Sequence, residues 1–154
     1  MTPAGPINRI LVGVDGSDNA RKALEWAILL GSTFDAEVVA VHAVGMLTDL
    51  GDGVEVPSRL HLAEVRQRFE SDWCAPLLES GLAHRLLCLD GPPSLVLMRA
   101  ATDEAADVIV VGTRGAGGLT ELLIGSTSLH LVEHAERPVL IVPPPSGRRH
   151  DRGE

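Results

Sequence analysis

Aromatic residues are scarce in this chain: there is no tyrosine, and two phenylalanines and two tryptophans serve 154 residues. A chain so poor in aromatics has no platform on which the bases of a single strand could stack. Basic residues are also few, 13 against 21 acidic ones, for a formal net charge of −8. Nucleic-acid binding needs a basic face, so no nucleic acid is expected as a partner. Only two cysteines occur, Cys74 and Cys88, and their spacing is not that of a metal site. They read as two reduced thiols of a cytoplasmic protein. No apolar run approaches the roughly 20 residues of a membrane-spanning helix, and no membrane partner is expected. The opening Met1-Thr-Pro-Ala-Gly-Pro6 has no basic stretch followed by an apolar one, so no signal peptide is expected.

The apolar weight lies in Val, Leu, Ile and Ala, which suits a parallel sheet covered by helices. A chain of 154 residues is most simply one domain, and at this length about 70% of the unfolded surface is buried on folding. Residues 7–14 read as a first strand. Asp15-Gly16-Ser17-Asp18 reads as a turn, followed by a helix with Ala20, Ala23, Leu24, Ala27 and Ile28 on one stripe. Strands are expected at 37–43, 83–89, 107–111 and 138–142. Helices are expected from Ser58, from Pro92 to about Glu104, and over about 126–136. Pro76 should kink or break the second helix. The stretch 44–57, rich in glycine and acidic residues, reads as a long loop. Residues 1–143 form the expected domain, and the tail 144–154, which lacks apolar residues, is expected to be disordered. Regular β-α alternation predicts an open, mostly parallel five-stranded sheet with helices on both faces. In such sheets ligands bind at the carboxyl ends of the strands, where the strand order reverses.

One glycine pattern stands out at such an end. Gly112-Thr-Arg-Gly115 follows the apolar run 107–111, and after nine more residues comes Gly125-Ser126-Thr127 at the start of the expected helix. Glycine lets a backbone approach a ligand closely and adopt positive φ. A helix opened by Gly-Ser-Thr offers unpaired N–H groups and two hydroxyls to an anion. Together they suggest a phosphate cradle. The better-known phosphate motifs do not fit. The P-loop lysine is missing, and the first strand–helix turn, Gly13-Val-Asp15-Gly16, is not Gly-x-Gly-x-x-Gly.

Gly-x-x-Gly-x9-Gly-Ser resembles the ATP-binding signature of the universal stress protein family. Ile10-Leu-Val-Gly-Val-Asp15-Gly-Ser17, Ala40-Val-His42-Ala43 and Arg137-Pro-Val-Leu-Ile-Val142 look like the same family, in the expected order, over roughly residues 7–143. The resemblance implies a Rossmann-like α/β sheet of order 3-2-1-4-5. It implies ATP as ligand, with Mg2+ held mainly by the phosphates, and a role in stress sensing or regulation with at most slow hydrolysis. Binding of another adenine nucleotide such as cyclic AMP, or adenine-nucleotide hydrolysis, is the alternative. Asp15 matches the carboxylate that accepts hydrogen bonds from the ribose, an acceptor-only side chain facing hydroxyl donors. Val14 beside it is counted with the nucleotide contacts. Ala43 matches the position whose backbone meets adenine, where the family often has valine. Gly112 and Gly115 match the glycines lining ribose and phosphates, and Gly125, Ser126 and Thr127 match the helix start that holds the terminal phosphates. Arg114 lies inside the loop as a potential fork donor to phosphate. The edge strand 138–142 is apolar on both faces and suggests a homodimer formed by strand pairing.

Other readings of the same residues remain. Glycines between strand and helix also satisfy turn geometry, and Asp15 also fits a cap of the first helix. His130-Leu-Val-Glu133-His134 fits a zinc-peptidase pattern, but its place at a helix C-terminus points away from the crevice and suits the helix dipole. His42 reads as a satisfied core histidine. No serine has a nucleophile-elbow context, and no residue is placed as a general base. No catalytic residue and no protein metal ligand is expected.

Overall fold

The apolar runs become strands because their branched side chains pack on both faces of a sheet. A computed structural model describes residues 5–44, 48–49, 54–55, 59–113 and 124–144. Along the chain come β1 (Arg9–Gly13), α1 (Asp18–Phe34), β2 (Glu37–Val44), β3 (Thr48–Asp49), β4 (Val54–Glu55), α2 (Arg59–Arg68), a π-helical turn (Phe69–Trp73), α3 (Ala75–Glu79), β5 (His84–Asp90), α4 (Pro93–Asp103), β6 (Val108–Gly112), α5 (Ser126–His134) and β7 (Val139–Val142). The five long strands form one sheet in the order β5-β2-β1-β6-β7, and every pairing is parallel. Counting the long strands alone, this is the expected 3-2-1-4-5. The two-residue strands β3 and β4 pair antiparallel within the expected loop 44–57; its other residues beyond Val44 lie outside the described residues, as does the tail beyond Pro144.

Alternation along β1 divides the core. Ile10 and Val12 face a cluster with Ala23, Leu24 and Phe69, under α1, the π-turn and α3. Leu11 faces the other cluster, with Leu97, Ala100, Ile109 and Leu131, under α4 and α5. Each buried Val, Leu, Ile or Phe side chain among them is worth about 1.5–3 kcal/mol relative to exposure.

Local chemistry sets the element ends. The N–H groups of Asn8 and Arg9 both donate to the Asp107 carboxylate, at 2.8 and 2.9 Å, and β1 begins at Arg9 rather than at residue 7. Ser17 caps α1 by accepting from the Ala20 N–H at 3.1 Å. Asp35 closes α1 in the left-handed region at φ 55°. The break expected at Pro76 is present. Its missing donor falls in the first turn of α3, where no helical bond is lost, and a widened π-turn precedes it. α5 ends at His134, two residues short of the expected bound. Ala135 is extended, and Pro138 disfavours helix at Arg137.

Candidate functional site at the carboxyl edge of the sheet

The strand order reverses between β1 and β6, whose register pairs Val12 with Val110. The chain leaves β1 into α1 on one face and leaves β6 toward α5 on the other. Such a switch point opens a crevice at the carboxyl edge, and Asp15 and Gly112 flank it. Gly112 touches the first turn of α1: a Cβ built on it would lie 2.9 Å from the Cβ and the carbonyl oxygen of Asn19.

The turn after β1 is tightly built. Asp15 Oδ1 accepts from the Ser17 N–H at 2.9 Å and from the Ser17 hydroxyl at 2.5 Å. The same hydroxyl oxygen accepts from Ala20, so Ser17 is the cap and Asp15 orients it. Gly16 between them has φ +83°, a conformation glycine adopts without strain. Val14 is buried, its N–H donates to Val41 at 2.9 Å, and its carbonyl accepts the His42 Nδ1–H at 2.7 Å. His42 is therefore a satisfied histidine, and it packs on Phe69 and Trp73. Ala43 lies near the end of β2, in register with Leu89, with its side chain toward the α4–α5 layer.

The turn after β6 is held from three directions. The Thr113 N–H donates to Val142 at 3.0 Å, and the Thr113 carbonyl accepts from the Gly125 N–H. The buried Ser128 donates its hydroxyl to the Gly112 carbonyl at 2.6 Å. These bonds bring Gly112 and the start of α5 together although Gly125 lies 13 positions beyond Gly112. Gly125 is the N-cap of α5 and supplies no side-chain cap. The first-turn N–H groups, at Ser126 and Thr127, sit at the positive end of the helix dipole. Arg114 and Gly115 lie outside the described residues.

The histidines of the zinc-like pattern serve a helix contact. His130 Nδ1 lies 2.5 Å from the Ser94 hydroxyl of α4, and the rings of His130 and His134 meet edge-on at 4.5 Å. Among the described residues no group of three or more His, Cys, Asp or Glu could hold a metal ion. A cavity of about 320 Å3 opens between α4 and the end of α5, over Leu95, Met98 and Ile109, and shares no residue with the crevice. Both cysteines are free; burial pushes the Cys74 thiol up to about 12. No helix among the described residues is long and apolar enough to cross a membrane.

Asn19, Trp73 and Ser128 support the two turns, a role that nothing in their spacing marks. The Gly-Ser-Thr-Ser run hinted at Ser128, but only the fold shows which carbonyl it reaches.

A parallel sheet in this order, with helices on both faces and its tight turns gathered at the switch point, defines a doubly wound α/β domain. The chain belongs to the universal stress protein family, whose pattern residues 6–143 match. It is 32% identical over 146 residues to universal stress protein YxiE of Bacillus subtilis, covering 88% of this chain and 98% of that protein. It is 33% identical over 141 residues to universal stress protein MJ0531 of Methanocaldococcus jannaschii, covering 89% and 82%. Among solved structures, the fold is similar to that of protein MJ0577, with TM-score 0.79 at 22% identity over 93% of this chain and all of that one. It is also similar to a universal stress protein in complex with cAMP, with TM-score 0.68 at 21% identity over 90% and 98%. An Arabidopsis thaliana family member with AMP bound has TM-score 0.63 at 20% identity, over 90% of this chain and 93% of that one.

Proposed function

We propose that this chain binds an adenine nucleotide in the crevice between β1 and β6, with ATP as the first candidate. One observation carries the reading: a hydroxyl-bonded carboxylate turn and an uncapped helix start face the same switch point, joined through Gly112. Asp15 would accept from the ribose, and the backbone of Val14 and Ala43 would meet the base. The first-turn N–H groups at Ser126 and Thr127 would donate to phosphate oxygens, with Gly125 tied to Thr113 at the helix start. Gly112 would let the ligand approach, and Arg114 and Gly115 would complete the phosphate side. Mg2+ would ride on the triphosphate, as a hard cation usually does.

The chain is read as a binding module for stress-linked sensing or regulation in the cytoplasm, with at most slow hydrolysis. Asp15 is committed to the Ser17 hydroxyl and N–H, which is a poor starting point for a general base. A second reading, binding of AMP or cyclic AMP, draws on the ligands held by two proteins of the same fold. We also propose a homodimer through β7, the sheet edge next to β6.

Calorimetry with ATP, AMP and cyclic AMP, each with and without Mg2+, tests the reading. ATP binding strengthened by Mg2+ is expected. Binding of AMP or cyclic AMP with equal or greater affinity favours the second reading, and heat from none of the three rejects both.

A further inference from the structure

The few aromatic residues are unevenly placed. Trp26 and Phe34 of α1 are 43% and 47% exposed, whereas Phe69 is fully buried and Trp73 half-buried against the same core. Phe69 and Trp73 both meet His42, with ring centroids at 5.8 and 5.1 Å, the second pair edge-on at 74°. Such contacts fix ring positions as well as bury area. The π-turn carries both aromatics, and single π-turns within helices are frequent at functional sites.

Trp73 also reaches the turn after β1. A Cβ built on Gly16 would fall 2.5 Å from Trp73 Cε2 and 2.6 Å from Cζ2, so the indole is seated directly on the Gly16 backbone. His42, its ring partner, holds the Val14 carbonyl. The segment from Val14 to Gly16 is thus gripped by His42 at one end and by Trp73 at the other, with Asp15 between the two grips. The phosphate side is anchored by other residues: Ser128 on Gly112, Gly125 on Thr113, and Thr113 on Val142.

We propose that Trp73 is a positioning residue for the adenosine half of the site, acting through Gly16 and His42. The inference rests on the nucleotide reading above. A carboxylate and two backbone contacts must be in place before the nucleoside arrives, and small misplacements of such groups are costly. Trp73 supplies a wide, stiff face against which the turn cannot relax.

The test compares Trp73→Leu, Trp73→Phe and Ser128→Ala with the natural protein, by calorimetry with adenosine and with ATP. Trp73→Leu is expected to weaken adenosine and ATP by the same factor, about tenfold. Trp73→Phe should recover part of that loss, leaving about threefold. Ser128→Ala should weaken ATP more than adenosine, unlike a change confined to the adenosine half. In a Trp26→Phe background, Trp73 emission should respond to adenosine and not to inorganic triphosphate. A merely structural tryptophan would lower the melting temperature and leave both affinities and the emission response unmoved. Unchanged adenosine affinity in Trp73→Leu overturns the proposal, as does ATP binding by the natural protein without measurable adenosine binding. If Trp73→Leu does not fold, Trp73→Phe decides: a loss of about threefold on both ligands supports the proposal, and no loss on either overturns it. If the natural protein binds neither adenosine nor any adenine nucleotide, the nucleotide reading itself has failed.

Discussion

Asn19 occupies the space that any side chain on Gly112 would need, with its Cβ and carbonyl oxygen 2.9 Å from where a Gly112 Cβ would sit. The glycine that ends β6 is therefore required by the packing of α1. Gly112→Ala is expected to force α1 off the sheet edge at a cost of about 1–3 kcal/mol. The melting temperature should fall by several degrees, and nucleotide affinity should fall with it. Gly115→Val, at the second glycine of the pattern, should instead abolish ATP binding while leaving the melting temperature near that of the natural protein. Thermal melts paired with calorimetry separate the two, and unchanged ATP affinity in Gly115→Val rejects the cradle.

Ser17 links helix stability to the carboxylate. Its hydroxyl donates to Asp15 at 2.5 Å and accepts from Ala20 at 3.1 Å. Ser17→Ala is expected to cost about 1 kcal/mol of stability through the lost cap. It should also weaken adenosine, because Asp15 loses a partner that orients it. Ser17→Thr keeps the hydroxyl and should restore both. Full adenosine affinity in Ser17→Ala would show that the cap does not set the carboxylate.

The fold was legible because its cues are local. Runs such as Val108–Gly112 and Val139–Val142, separated by helical stripes, read as parallel strands, and the resemblance fixed their order. Asp15, Gly112 and Gly125 were legible as turn and helix-start residues flanking one crevice. The supports were not. Asn19 matters because α1 crosses the end of β6, Trp73 because a π-turn shifts its direction, and Ser128 because one carbonyl lies 2.6 Å from it. Each depends on a distance between elements, which periodicity does not encode. The choice between Asp15 as ribose acceptor and Asp15 as cap was also not decidable from sequence, since both need a carboxylate after a strand. The structure assigns the cap to Ser17.

The edge strand invites a partner. Within β7, Val139 and Ile141 are half-buried and Leu140 is 36% exposed, on the open side of the sheet. Sedimentation at micromolar concentration is expected to give the mass of a dimer. Leu140→Lys places a charge on the pairing edge, the device by which natural edges avoid association, and should give a folded monomer. A monomeric mass for the natural protein would reject pairing through β7.

Alkaline pH should reveal the buried thiol of Cys74. Burial raises it from an ordinary 9.0 to about 12, so the folded state holds the proton after the unfolded chain has released it. The folded state thus binds more protons between these values, and stability declines as pH rises through the window. The stabilising contribution is fully present below pH 9 and is lost progressively as pH approaches 12. The limiting slope for one group is about 1.4 kcal/mol per pH unit. Few other groups obscure it: the chain has no tyrosine and one lysine, Lys22. Cys88 is raised too, first by burial, with Arg66 opposing, and acts in the same sense. Urea unfolding at pH 7, 9 and 10.5 is expected to give a falling free energy for the natural protein. In Cys74→Ala the free energy should start lower at pH 7, because a buried group is lost, and fall less between pH 9 and 10.5. Parallel curves for the two proteins would mean that Cys74 ionises in the folded state as readily as in the unfolded one, against its complete burial beside Phe69 and Leu77.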